Sequence, residues 1–343
     1  VGVYLAFVVD KMADYNSSMC SWRTAGGNLR STFGRQAIPM VWTFAEGNPF
    51  SSVSGNFKTM LGSVTEAVEH LGCGSPAVVS QDNALTMEHP RNVMVCTELP
   101  YYRDIGYADL SDFFYIWLRR SLKETYPQMF LPMVTSKEEL STASTYYGVS
   151  KEEAEEKYRA DMKAVCEKLY ASSSEEYPAL LFYCFRKNDL ECIKLGSAGG
   201  NQSAWEFMLD SLLSAGFAIS AVWPMRSEPV SEKADSTRVL IVARKGEGRG
   251  GQITRRGFIN TLKRELPEKL SRLWLGHIRP EDELLSCMGQ GLSVFTSYES
   301  VLNADGSAMS VHDALQVIYL ECDDYIEQRK AAVSEDAAES KEE

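Results

Sequence analysis

No two cysteines in this sequence stand at C-x-x-C spacing, although there are eight in 343 residues. That removes the paired-cysteine zinc sites and leaves reduced, buried thiols as the plain reading. Histidine is scarce. His70, His89, His277 and His312 are scattered, and none has metal-ligand spacing, so no metal is expected. No Ser-His-Asp or Cys-His arrangement stands out for nucleophilic catalysis. No uninterrupted apolar run is long enough to span a bilayer, which argues against a membrane partner. A charged leader with a small-residue cleavage site is also missing, so a cytoplasmic location is expected. The chain opens on Val1 directly in an apolar helical pattern (Val3, Tyr4, Leu5, Phe7, Val8) and reads as the continuation of a larger protein.

What is present describes an ordinary globular chain. A hydrophobic content of 44% over this length can bury a full core in one large or two modest domains. The net charge of -12 argues mildly against nucleic acid, but its distribution softens that. Between Arg238 and Arg279 eleven basic residues face only Glu247, Glu265 and Glu268. This stretch is either a phosphate-contacting face or a solvated helix with basic side chains.

The periodicity gives a coarse order of elements. Helices are expected over residues 1–16 and 56–71, with a short one around 35–44. Ala77 to Ser80 and Val93 to Cys96 read as buried strands. A helix follows from Asp109 to about Lys123. Residues 136–178 read as an insertion whose charged core, Ser150 to Tyr170, is a solvated helix or, less simply, a target-recognition arm. Ala179 to Phe185 is a strand, Trp205 to Ala215 a helix, and Phe217 to Val222 with Val239 to Ala243 an antiparallel pair. Helices follow beyond Ile253, at Pro280 to Met288 and at Val311 to Gln328. Gly246 to Gly251 reads as a linker, and Gly289-Gln290-Gly291 follows a polar helix. No Phe-x-Gly-x-Gly follows a strand.

The chain is organised around Thr97-Glu98-Leu99-Pro100-Tyr101-Tyr102, a Pro-Tyr turn between strand and helix. In an open α/β sheet such a turn lies at a strand's carboxyl end, where ligands bind. Its carboxylate, carbonyls and aromatic faces suit an extruded base with an exocyclic amine.

The run from Glu98 to Phe114, with Tyr107-Ala108-Asp109-Leu110-Ser111-Asp112-Phe113-Phe114, resembles the adenine-specific DNA methylases described as containing a zinc ribbon. Asn28 to Pro49 and Trp205 to Glu228 extend the likeness to that family's C-terminal half. The resemblance implies an S-adenosylmethionine-dependent N6-adenine methyltransferase of DNA. It implies an α/β fold: part of a Rossmann-like methyltransferase sheet (1–245, with the insertion), a helical C-terminal extension (246–330) and a disordered acidic tail (331–343). Glu98 and the Leu99 carbonyl would accept from the target amine, Pro100 would hold the turn and Tyr101 would stack on the base. Asp82 and Asn83 would meet the adenine of the cosubstrate, although an ordinary turn explains them as well. The family's zinc ribbon and cosubstrate glycine loop would lie in an upstream half of the same protein, a partner for this chain. Where the family has Asp-Pro-Pro-Tyr, this chain has Glu98-Leu99-Pro100-Tyr101. A carboxylate displaced by about 1 Å can cost roughly 100-fold in rate. A catalytically impaired nucleic-acid-binding component of a defence locus and an RNA amino-methyltransferase are therefore the alternatives.

Overall fold

The structure, a computed structural model, describes all residues except 36, 73, 89, 101–106, 138–149, 196–202, 226–235, 247–249, 275–277 and 340–343. The chain forms two units: Val1–Gln81 with Arg103–Val149, and Asp82–Tyr102 with Ser150–Glu343.

The first unit holds α1 (Gly2–Tyr15), the short strands β1 (Ser21–Arg23) and β2 (Asn28–Arg30), α2 (Phe57–Glu69) and α3 (Tyr107–Leu122). Both helices expected near the N-terminus are present. α2 starts where Asn56 caps it, its side-chain oxygen accepting from the Thr59 N–H at 2.9 Å. Ala6, Leu122 and Phe130 form a small core, with Val3, Tyr115 and Leu118 packed against it. Two expected elements are absent. Residues 37–44 form no helix, because Pro39 removes a donor in the middle of the run. Met40 and Trp42 stand 85% and 93% exposed there. Ala77 to Ser80 is not a buried strand either: Val78 is 99% exposed. A β-type run becomes a strand only with a partner to receive its hydrogen bonds, and none pairs with it among the described residues.

The second unit is mixed α/β. Its sheet contains β3 (Cys96–Glu98), β4 (Ala179–Arg186), β5 (Phe217–Met225) and β6 (Ser236–Lys245) in the order β3-β4-β6-β5. β3 is parallel to β4, and β6 is antiparallel to both β4 and β5. The expected terminal antiparallel pair is therefore present, and its return strand inserts beside β4. The carboxyl ends of β3, β4 and β5 share one edge of the sheet. β3 begins later than the apolar run suggests. Val93 makes only an isolated parallel bridge to Ser173, and the ladder starts at Cys96.

The helices of this unit bury the sheet. α4 (Lys151–Ser172) is not the solvated helix its charges suggest: Ala154, Tyr158, Met162, Val165, Cys166 and Leu169 are all buried on one stripe. α5 (Lys187–Leu195) follows β4 directly. α6 (Ala204–Ser214) is closed by a Ser203–Glu206 capping box and buries Trp205, Leu209 and Leu212. Beyond the sheet come β7 (Gly250–Thr254), α7 (Arg255–Trp274), α8 (Pro280–Phe295), β8 (Tyr298–Leu302) and α9 (Val311–Glu339). β7 pairs in parallel with β8, so Gly250 and Gly251 belong to a strand and not to a linker. Gly289 and Gly291 lie inside α8, where they let it approach its neighbours closely. A Cβ at Gly289 would stand 2.6 Å from the Val222 nitrogen, and one at Gly291 2.3 Å from Ile318 Cγ2.

Candidate functional site

Glu98 is the last residue of β3 and lies opposite Phe182 of β4. The parallel pairing brings the following turn to the edge shared by the strand ends. Glu98 is partly exposed and faces Arg238 of β6, Oε1 to guanidinium 3.7 Å, with side-chain exposures of 46% and 59%. An ion pair this exposed is worth about 0–1 kcal/mol. It orients the carboxylate without sequestering it.

Leu99 is buried, 3% exposed, so its side chain anchors the turn in the core. Pro100 is half-buried, and its carbonyl accepts from the Tyr158 hydroxyl at 2.7 Å. Tyr158 comes from the buried stripe of α4, so the helix whose sequence suggests an insertion ties down the turn. Tyr101 lies outside the described residues, as does the loop with Arg226 and Glu228.

The same unit holds a buried polar layer. Asp189, in the first turn of α5, is 3% exposed. Its carboxylate accepts from the Arg186 N–H at 2.8 Å and from the Trp205 N–H at 3.5 Å. Burial pushes its pKa upward, against the pull of those two N–H groups and of the Arg186 charge. The Tyr183 hydroxyl is pushed up by burial, then by the nearby Asp189 and Tyr158. Its ring lies 5.3 Å from that of Trp205. Glu206, 1% exposed, meets His312 Nδ1 at 3.0 Å, which ties α9 to α6. Asp189 and Glu206 both cap helices, and this explains why acids are tolerated there. The Ser203-x-x-Glu206 spacing is the one signal in the sequence that locates this layer.

Asp82 and Asn83 lie on an exposed turn. Asn83 Oδ1 accepts from the Leu85 N–H at 2.9 Å, and its carbonyl accepts from the N–H groups of Thr86 and Met87 at 3.0 and 2.8 Å. All of these bonds are internal to the turn, and none reaches Glu98. These residues alone do not make a cosubstrate pocket. Among the described residues no group of three or more His, Cys, Asp or Glu is placed to hold a metal.

The basic segment is partly neutralised by acidic neighbours. Lys263 faces Glu321 at 3.7 Å, and Lys269 faces Glu265 at 3.7 Å and donates to the Ser293 hydroxyl at 2.9 Å. Arg255 and Arg256 stand exposed in the first turn of α7. Among the described residues no helix is long and apolar enough to cross a membrane.

No family model matches the chain, and no curated protein or solved structure is similar enough to count as a match.

Proposed function

We propose that the chain is the amine-gripping half of an S-adenosylmethionine-dependent methyltransferase acting on adenine in DNA. The observation that carries this reading is the order β3-β4-β6-β5, with three strands ending on one edge and the Glu98-Leu99-Pro100 turn at the end of β3. That edge is where open α/β sheets bind ligands, and the sheet supports a partial Rossmann-like fold. Glu98 and the Leu99 carbonyl are the acceptors for the amine. Leu99's buried side chain and the Tyr158 bond to Pro100 hold them in place.

The cosubstrate pocket, in this reading, is completed by a segment that carries the glycine loop, such as an upstream half of the same protein. Two observations support that. No Phe-x-Gly-x-Gly loop follows a strand in this sequence. The outer edge of β3 also carries no strand among the described residues, and an open edge is a template for another chain. The second reading, an impaired nucleic-acid-binding component, rests on Glu98-Leu99 standing where the resembled family has Asp-Pro, because the added methylene displaces the carboxylate.

Calorimetric titration of S-adenosylmethionine into this chain, in about 0.1 M salt, separates the readings. No binding alone, restored by a polypeptide that carries the glycine loop, is the expected result, with methyl transfer to adenine-containing DNA and not to RNA. Tight binding to the chain alone overturns the shared-pocket reading. No binding or transfer in either setting leaves the non-enzymatic component as the function. Glu98→Asp with Leu99→Pro, made in the active pair, should raise transfer.

A further inference from the structure

Among the described residues, the four-stranded sheet of the second unit is covered fully on one face only. The strand registers fix which side chains share a face. Leu181, Tyr183, Val239, Ile241, Phe217 and Val222 lie on one face, and all are buried. Three helices cover them: Tyr170 of α4 packs on Phe217, Trp205 of α6 on Tyr183, and Gly289 of α8 lies against Val222. Leu180, Phe182, Leu240, Val242, Trp223 and Met225 belong to the second face, and none of them is buried. Trp223 and Met225 are 40% and 43% exposed. The exposed Cys96 and Glu98 of β3 share that second face, as does the partly exposed Cys184 of β4.

The outer face of a half-covered antiparallel sheet alternates with the inner one, polar against apolar. Ala179 to Phe185 and Val239 to Ala243 are instead apolar at every position but Tyr183, which is buried. Continuous apolar strands belong to sheets covered on both faces, and an apolar patch left open marks an interaction surface.

The connections of the sheet point to what covers it. β3, β4 and β5 run parallel, so β3 to β4 and β4 to β5 are crossovers, and both travel the same way along the sheet. Right-handed crossovers that travel one way cross the same face. Their helices α4 and α6 do lie together on the buried face. In a doubly wound sheet the other half winds the opposite way from the strand where the order begins, and its helices lie on the opposite face. Here that strand is β3, whose outer edge carries no strand among the described residues. Charge narrows the occupant further. Arg186, Arg238 and Arg244 stand on the second face against Glu98. Two copies of the chain packed face to face would bring these arginines together, so charge disfavours a second copy and favours a partner with carboxylates.

We propose that this face docks an amphipathic helix of a polypeptide that extends the sheet past β3. The apolar side of the helix seats on Phe182, Leu240, Trp223 and Met225, and carboxylates along its flanks meet Arg186, Arg238 and Arg244. The proposal goes beyond the methyltransferase reading and rests on the sheet alone. Its test does not involve S-adenosylmethionine, so its failure and the failure of that reading are told apart.

Two cysteines make the face readable. The full chain is treated with iodoacetamide, and the alkylated positions are identified by mass spectrometry. This is done alone and with a synthetic helix of about 20 residues, leucine on one side and glutamate on both flanks. Without the peptide, Cys184 and Cys96 should react while the buried Cys20 and Cys166 do not. The peptide should slow alkylation of Cys184 and leave Cys192, on α5, unchanged. Calorimetry should detect the glutamate-flanked helix below about 1 mM, and the same helix with lysine flanks should bind about tenfold more weakly. Trp223→Ala should weaken the glutamate-flanked helix about tenfold, and Arg238→Gln about threefold. Circular dichroism verifies that both variants fold. A Cys184 that stays unreactive in the chain alone means that the chain covers the face itself, and overturns the proposal. A dimer in sedimentation that protects Cys184 without peptide identifies a second copy as the occupant, and overturns it as well. So does no binding at about 1 mM, equal affinity for the lysine-flanked helix, or unchanged affinity in Trp223→Ala.

Discussion

Replacing Asp10 by asparagine should stabilise the protein at neutral pH and leave its stability in acid unchanged. Asp10 has its Oδ1 sealed without a partner, and burial alone raises its pKa from 3.8 to about 6. The raised value means that folding disfavours the charged form. The stability associated with the protonated carboxyl is fully present below pH 3.8 and lost as pH rises through about 6. At 1.36 kcal/mol per unit, the shift corresponds to roughly 3 kcal/mol for a fully buried group. Asp10 is only half-buried, so screening reduces this to about 1–2 kcal/mol. Asparagine keeps the shape and carries no charge to desolvate. Urea denaturation followed by circular dichroism at about pH 7.5 should show a higher midpoint for Asp10→Asn at an unchanged slope. Near pH 3.5 the unfolding free energies of variant and parent should agree to within about 0.5 kcal/mol. Asp14 and Lys11 line the same cavity and are common to both proteins, so their contributions largely cancel in the difference. A variant destabilised at pH 7.5, or stabilised equally at both pH values, would refute the reasoning.

Other substitutions probe the second unit. The Thr296 hydroxyl accepts from the Ile219 N–H and donates to the Ile219 carbonyl, both at 3.0 Å, beside the bulge at Ile219/Ala221. Thr296→Val strands two buried backbone groups, so calorimetry should record a loss of about 2–4 kcal/mol. Tyr158→Phe removes the 2.7 Å bond to Pro100, and chemical denaturation should show a cost of about 0.5–1.5 kcal/mol. An unchanged midpoint would mean that α4 does not anchor the turn. Gly291→Ala places a methyl 2.3 Å from Ile318 Cγ2 and should cost about 1–3 kcal/mol, with part recovered by adding Ile318→Ala in a double-mutant cycle. Glu98→Gln removes the charge from an exposed pair, and its effect on thermal stability should stay below about 1 kcal/mol.

The legible elements are those whose own pattern decides them. α1, α2, α3, α6 and the β5–β6 pair follow from periodicity, caps and apolar runs inside single segments. The misreadings have tertiary causes. Ala77 to Ser80 has strand composition, but no neighbouring strand among the described residues receives its bonds. The charged faces of α4 hide a stripe from Ala154 to Leu169 that only packing gives meaning. β8 and the parallel β7–β8 pair depend on two short segments more than forty residues apart. Gly289 and Gly291 resemble a failed ligand loop because spacing alone cannot distinguish a phosphate cradle from close helix packing.

The same limit applies to the polar groups. At the Glu98 turn the residue types by themselves point to chemistry, yet the polar groups described there are largely engaged: Glu98 with Arg238, Pro100 with Tyr158, Asp189 with two N–H groups. No motif marks Asp10, Arg23 or Arg30, because they come from a helix and two strands that meet only in the fold. There Asp10 Oδ1 and Asn28 Oδ1 are sealed without a partner among the described residues, whereas Arg23 and Arg30 stand exposed to solvent. A folded chain ordinarily satisfies its buried polar atoms, and departures from that rule concentrate where something else is meant to bind. A motif shows what chemistry a chain could perform, whereas unsatisfied groups show where its own atoms leave the chemistry incomplete. By that criterion neither region stands apart, because Trp205 Nε1 and His312 Nε2, in the layer that holds Asp189 and Glu206, are also sealed without a partner among the described residues.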